Sequence, residues 1–190
     1  MAADIAKKVI KRKISALDSI QQKVNVGIGT MRILGIDPGL GITGYGVIEI
    51  DRGNIKVVEA GVIRPKSKLG IEKRLIEIYK NVESLIKDTA PQVIALEELY
   101  SHYKHPRTSI LMGHARGVIC LAAEMGKVQL VNYASTKVKK AVTGRGHASK
   151  QQVQRTVARL LNLGEMSGPV DVTDALALAL THANVCAHKL

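Results

Sequence analysis

The chain makes three strand-like runs in succession between Met31 and Ile63, and no other stretch limits its fold as tightly. Arg32-Ile33-Leu34-Gly35-Ile36-Asp37 is a short apolar run that ends in an acid. Thr43 to Ile50 and Ile55 to Ile63 follow, joined by Asp51-Arg52-Gly53-Asn54. Asp, Gly and Asn accept the backbone angles of a tight hairpin, so this tetrapeptide predicts one. Successive strands with short connections pair antiparallel, which predicts a meander.

The apolar period then changes. Leu75, Ile78, Val82, Leu85 and Ile86 recur at three- and four-residue intervals, predicting a helix over 69–87 that ends at Ala90-Pro91. Gln92 to Leu96 reads as a buried strand closed by Glu97-Glu98. A helix over 108–124 with Gly126 as its stop, a fifth strand over 127–131, and helices over 135–142, 149–161 and 172–187 complete the chain. The expected class is α/β, a five-stranded mixed sheet flanked by helices. A length of 190 residues suits one domain, and with no Trp and no Phe its core must come from Val, Ile, Leu and Ala.

Residues 1–30 read as a separate leader, with the globular domain over 31–190. Ala2 to Val24 alternates Lys and Arg with apolar residues at helical spacing, and Gly27-Ile28-Gly29-Thr30 makes a joint before Met31. Three readings compete: a vector-derived or wrongly translated leader upstream of a natural start at Met31, a basic arm that helps bind DNA, or an organelle-targeting leader. Asp4 and Asp18 count against the last, and the first is preferred.

Lys plus Arg total 28 against 16 Asp plus Glu, a formal net charge of +12. Such a surplus favours a polyanionic partner, nucleic acid or an acidic membrane surface, over plain solubility. Between Ser101 and Leu160 eleven Lys or Arg face a single acid, Glu124, so that third of the chain carries +10. Basic charge concentrated in one region is the footprint of phosphate-backbone binding. The two cysteines, Cys120 and Cys186, lack metal or redox spacing and suit a reducing compartment. No apolar run approaches about 18 residues and no cleavable secretory signal is visible, so the expectation is a cytoplasmic protein without a membrane span.

Four acids stand out. Asp37 closes the first strand before Pro38-Gly39, and Gly35, Gly39, Gly41, Gly44 and Gly46 crowd the same hairpin. Glycines permit positive φ and let a phosphate or metal approach the backbone, although Asp-Pro-Gly is also a common turn. Glu97 and Glu98 sit at the mouth of a buried strand, where open α/β sheets bind ligands. Pleating sends the two to opposite faces, which leaves open the choice between them. Asp171 and Asp174 are spaced i, i+3, on one helical face, with Asp171 at the expected N-cap. Carboxylates held together repel, a divalent cation relieves the repulsion, and hard oxygen ligands suit Mg²⁺ or Mn²⁺. Two such ions can clamp a phosphodiester.

These residues resemble the RuvC-type Holliday-junction resolvases. Ile33 to Gly39 followed by Thr43-Gly44-Tyr45-Gly46-Val47-Ile48 is similar to that family's opening, and Ala95-Leu96-Glu97-Glu98-Leu99-Tyr100 to its second acidic motif. Ala115-Arg116-Gly117-Val118 and Asp171 to Ala177 continue the match in order, from Met31 to about His182. The resemblance implies a ribonuclease H-like fold and a homodimer that makes paired, Mg²⁺-dependent nicks in strands of like polarity at a four-way DNA junction. It further implies a branch-migration complex of the RuvA and RuvB type as partner. It selects Glu97 over Glu98 and places Lys139 and Lys150 near the scissile phosphate, where a cation stabilises developing charge. It places Tyr100 beside the crossover, where its ring can stack on a base. Arg107, Arg116, Lys137, Lys140 and Arg145 are the remaining expected DNA contacts.

Three other readings are weaker. A related nuclease acting on RNA precursors would be smaller and less basic. A non-catalytic junction binder would need the basic stretch but not four acids. An actin-like sugar kinase, suggested by Asp37-Pro38-Gly39, needs a second lobe that 190 residues cannot hold.

Overall fold

The computed structural model describes residues 30–99, 106–163 and 169–187. Residues 1–29, which hold nearly all of the expected leader, and Tyr100 lie outside the described residues. The meander is present as β1 (Met31–Asp37), β2 (Thr43–Asp51) and β3 (Asn54–Ile63). Helix α1 (Ile71–Thr89) leads to β4 (Val93–Glu97), α2 (Pro106–Met125) to β5 (Gln129–Tyr133), and α3 (Ser135–Thr143), α4 (Lys150–Leu160) and α5 (Val170–Ala187) follow. The strands form one sheet in the order β3-β2-β1-β4-β5. β1 runs antiparallel to β2 and parallel to β4. The 51–54 turn places both central residues, Arg52 and Gly53, at positive φ (46° and 83°), as the hairpin reading required.

Each face of the sheet buries its own core. Ile33, Ile48, Ala95 and Tyr133 pack against α3, α4 and α5, through Val138, Val153, Val157 and Leu176 among others. Leu34, Ile36, Val47, Ile94 and Leu96 pack against α1 and α2, through Ile78, Val82, Ala115 and Ile119. The result is three layers, with helices on both sides of a mixed sheet. No helix among the described residues is long and apolar enough to cross a membrane.

The structure departs from the sequence expectations in three places. The fifth strand starts at Gln129 rather than Lys127, because two more residues are used to stop α2. There Val128 N–H donates to Ala123 O and Lys127 N–H to Glu124 O, both at 2.9 Å, a paired C-terminal lock. The left-handed residue is Lys127 (φ 54°) rather than Gly126. Gly126 serves a packing purpose instead, since a Cβ there would stand 2.9 Å from Ile86 Cγ2.

The second departure concerns the glycines around Asp37. Among the described residues the positive-φ glycines are Gly53 and Gly144, so none of the five in the β1–β2 hairpin serves the backbone freedom expected of it. Three of them make a bed for α5. A Cβ on Gly35 would stand 2.0 Å from Ala175 O, one on Gly44 2.1 Å from Asp171 O, and one on Gly46 2.6 Å from a Leu176 methyl. Gly35 faces Gly46 across the β1–β2 ladder, so the missing side chains form one groove. It is a helix, not a phosphate, that this backbone admits.

The third is the start of α5. The helix begins at Val170, so Asp171 lies inside its first turn and is not the cap. The i, i+3 relation to Asp174 is unaffected, and the helix N-terminus still favours the negative charge of Asp171.

Candidate active site

Three elements carry the acids to one place. Across the parallel β1–β4 ladder Gly35 pairs with Ala95 and Ile36 with Leu96. Leu34, Ile36, Ile94 and Leu96 point toward α1 and α2, whereas Ile33 and Ala95 point toward α5. Alternation therefore puts Asp37 and Glu97 on the α5 side and turns Glu98 away. The choice that pleating alone left open follows once the side occupied by α5 is known. The glycine bed then lays the start of α5, with Asp171 in its first turn and Asp174 in the next, against the end of β1.

The four acids line one cleft of roughly 330 Å³ together with Lys139 and Lys150. Pro38, Gly39 and Ile42 of the β1–β2 turn, Met112 of α2, Ser135 and Val138 of α3, Val153 of α4 and Leu178 of α5 complete its walls. Two side chains hold that turn in shape. Thr43 Oγ1 donates to Gly39 O at 2.7 Å, and Arg74 Nη2 of α1 donates to Leu40 O at 2.8 Å. The sequence signals neither role, because a threonine and an arginine that grip backbone carbonyls carry no spacing signal.

Electrostatic strain is concentrated at Asp37. Its carboxyl is pushed up to about 8, first by burial, then by the charges of Glu97 and Asp174, a hydrogen bond with Glu97, and Asp171. Burial also raises the Asp174 carboxyl; Lys150 pulls the other way, Asp171 adds to the rise, and Lys139 opposes it. Lys150 Nζ stands 3.7 Å from Asp174 Oδ2. Lys150 opens α4, whose start is shaped by a capping box in which Gln152 N–H donates to Ser149 Oγ and Ser149 N–H to Gln152 Oε1.

Four hard-oxygen donors in a half-buried cleft, one holding its proton against its neighbours' charge, fit a divalent cation. Among the described residues no three acidic, His or Cys side chains form a ready-made coordination shell. Mg²⁺ commonly takes one or two carboxylates and completes its shell with water and phosphate oxygens, so a dedicated protein cage is not required.

The other basic residues fall elsewhere. Arg107, Lys137, Lys140 and Arg145 are exposed and do not line the cleft. Lys137 Nζ lies 5.1 Å from the Tyr133 ring centroid. Arg116 is turned inward: Nη1 donates to the Glu97 carbonyl, and Nη2 to Asn132 Oδ1 at 2.6 Å. Beneath the site Tyr133 Oη meets His182 Nδ1 at 2.7 Å, and His182 Nε2 meets Cys186 Sγ at 3.4 Å, a polar chain inside the α5-side core.

A mixed sheet in this order, with carboxylates at the adjacent ends of β1 and β4 and on a C-terminal helix laid across them, defines a nuclease of the ribonuclease H-like fold. The family model of the crossover junction endodeoxyribonuclease RuvC matches residues 33–182. A relative of that name from Rhodopirellula baltica is 47% identical over 158 residues, 83% of this chain and 86% of the relative. The RuvC structure from Thermus thermophilus superposes with a TM-score of 0.77 at 30% identity, covering 84% of this chain and 97% of that one. The same protein solved with a Holliday junction substrate gives 0.78 at 29% identity, over 84% and 96%. The chain belongs to the RuvC family of crossover junction endodeoxyribonucleases.

Proposed function

We propose that this chain resolves four-way DNA junctions, and that Asp37, Glu97, Asp171 and Asp174 hold two divalent cations, Mg²⁺ or Mn²⁺ in its place, against the scissile phosphate. The observation that carries the reading is one cleft lined by these four carboxylates and by Lys139 and Lys150. When bound, such ions lower the pKa of an attacking water and offset charge on the leaving oxygen. Asp37 and Glu97 stand at the strand ends and Asp171 and Asp174 on α5, so a cation in the cleft would be held from two sides. Asp37 would hold a cation only as the carboxylate, so occupancy of the site would favour loss of its proton. Lys150 and Lys139 stand on the helical wall, placed to offset negative charge on the non-bridging oxygens. Arg107, Lys137, Lys140 and Arg145 hold the duplex arms by their phosphates, and Tyr100 stacks at the crossover.

The working form is a homodimer, which brings two clefts to two strands of like polarity. Support comes from α2, where Ile110, Leu121 and Met125 are 61%, 54% and 68% exposed on a helix that also carries Gly113 and Gly117. An apolar, glycine-notched helix face of that kind suits a second copy of itself. Residues 31–190 are the nuclease domain and residues 1–30 a leader outside it, a division the family match at 33–182 supports. A cytoplasmic setting and a branch-migration complex of the RuvA and RuvB type as partner belong to the same proposal. The relatives' names favour junction DNA over an RNA precursor.

A synthetic mobile four-way junction tests it, with nick positions mapped in Mg²⁺. Symmetric nicks in two strands of like polarity are expected, and Asp37→Asn abolishes them while leaving junction binding intact. Junction affinity falls steeply with salt. Cleavage of an RNA precursor but not the junction, or Mg²⁺-dependent cleavage by Asp37→Asn, would sink the reading.

A further inference from the structure

We propose that Arg116 is a positioning residue that holds Glu97 in place through its main chain, rather than a contact to DNA; this rests on the reading of Glu97 as a metal-holding acid. β4 ends at Glu97, and the peptide joining Glu97 to Glu98 is gripped at both ends. Its N–H donates to the Tyr133 carbonyl of β5 at 3.0 Å. Its C=O accepts from Arg116 Nη1. The second arm of the same guanidinium, Nη2, donates to Asn132 Oδ1 at 2.6 Å. Asn132 lies beside Leu96 in the β4–β5 register, so a single planar fork ties α2 to the ends of both strands.

The anchor itself cannot drift. Ala115 and Ile119, on either side of Arg116 along α2, are both 0% exposed. They pack under Leu96 and Ile94, on the sheet face opposite α5. Arg116 therefore acts from behind the sheet, and it is absent from the lining of the cleft. A lysine cannot replace it, because one ammonium on a flexible stem does not reproduce two parallel donors in fixed geometry. The direction of the Glu97 carboxylate follows the orientation of the peptide that Arg116 holds. Glu97 lines the same cleft as Asp37, at the adjacent end of the paired strand. A small rotation there separates two carboxylates that must close on the same ion, and displacements of about 1 Å cost catalysis about 100-fold.

The test uses the full chain carrying Arg116→Met, Arg116→Lys or Asn132→Ala. Four readouts are taken: single-turnover junction cleavage, the Mg²⁺ concentration for half-maximal rate, the Mg²⁺-induced rise in thermal midpoint, and junction affinity in EDTA across a salt series. Both Arg116 variants are expected to cleave about 10- to 100-fold more slowly, the range for groups that orient metal ligands. They need more Mg²⁺ and gain less thermal stability from it, yet bind the junction in EDTA with unchanged affinity and salt slope. Asn132→Ala shifts the same readouts in the same direction by less, and it decides the matter if the Arg116 variants fail to fold. A loss of affinity in EDTA as large as the loss of rate, with the salt slope reduced by about one, marks a phosphate contact and overturns the proposal. Wild-type rate and Mg²⁺ dependence overturn it too. Glu97→Gln runs alongside: normal cleavage by that variant refutes the active-site reading beneath the proposal, whereas an inactive Glu97→Gln beside a wild-type-like Arg116→Met refutes the role of Arg116 alone.

Discussion

Removing the charge of Asp37 is expected to make the metal-free protein more stable while making it inactive. Folding raises this carboxyl from 3.8 to about 8, burial being the largest cause and Glu97 the next. An upward shift of an acid means the native state holds a proton that the unfolded chain has released. Below pH 3.8 both states are protonated and the effect is nil. It grows as pH rises through the window from 3.8 to about 8 and is constant above that. At about 1.4 kcal/mol per pH unit, the native state forgoes roughly 4 kcal/mol by pH 7 relative to an uncharged side chain. Asn keeps the size of Asp and can donate to Glu97 without carrying charge, so Asp37→Asn recovers much of this. For a domain of this length about 1 kcal/mol moves the midpoint by roughly 2–4 °C, so the expected rise at pH 7.5 in EDTA is on the order of 5–15 °C. The assay is thermal unfolding of both proteins from pH 3.5 to 8.5, in EDTA and in Mg²⁺. The gap should close toward pH 3.5, and Mg²⁺ should stabilise the wild type far more than the variant. A midpoint for Asp37→Asn that is equal or lower at pH 7.5, or a gap independent of pH, would refute the reasoning.

The remaining predictions concern the other parts of the cleft. Glu97→Gln should abolish cleavage and Glu98→Gln should leave it near wild type, as measured on one junction substrate; equal losses would contradict the face assignment. Lys150→Ala should slow single-turnover cleavage about 100-fold, the usual loss of one donor to developing charge, while its affinity for the junction stays within a factor of about two. Gly44→Ala should destabilise the fold by about 1–3 kcal/mol in denaturant unfolding and lower cleavage further than that loss explains, because its Cβ would meet Asp171 O at 2.1 Å and push α5 away.

Much of the architecture was legible along the chain. The meander, the alternation of helices and strands, and the acids at the ends of the first and fourth strands all follow from local periods and turn residues. Arg52 and Gly53 at positive φ are a case in point, since a hairpin tetrapeptide carries its own geometry. The concentration of basic charge between Ser101 and Leu160 needs only counting.

The tertiary structure decided the rest, because each remaining question depends on an element distant in sequence. Whether Glu97 or Glu98 faces the site depends on which side α5 occupies, more than 70 residues later. The purpose of Gly35, Gly44 and Gly46 depends on what lies against them, and that is the backbone of α5. Arg116 belongs by charge to the basic stretch, yet its guanidinium is spent on the Glu97 carbonyl and Asn132. The sequence by itself determined which side chains were available and at which element ends they stood. Docking of α5 into a groove of missing side chains determined which of them meet, since close packing selects one face of each strand and local pattern does not.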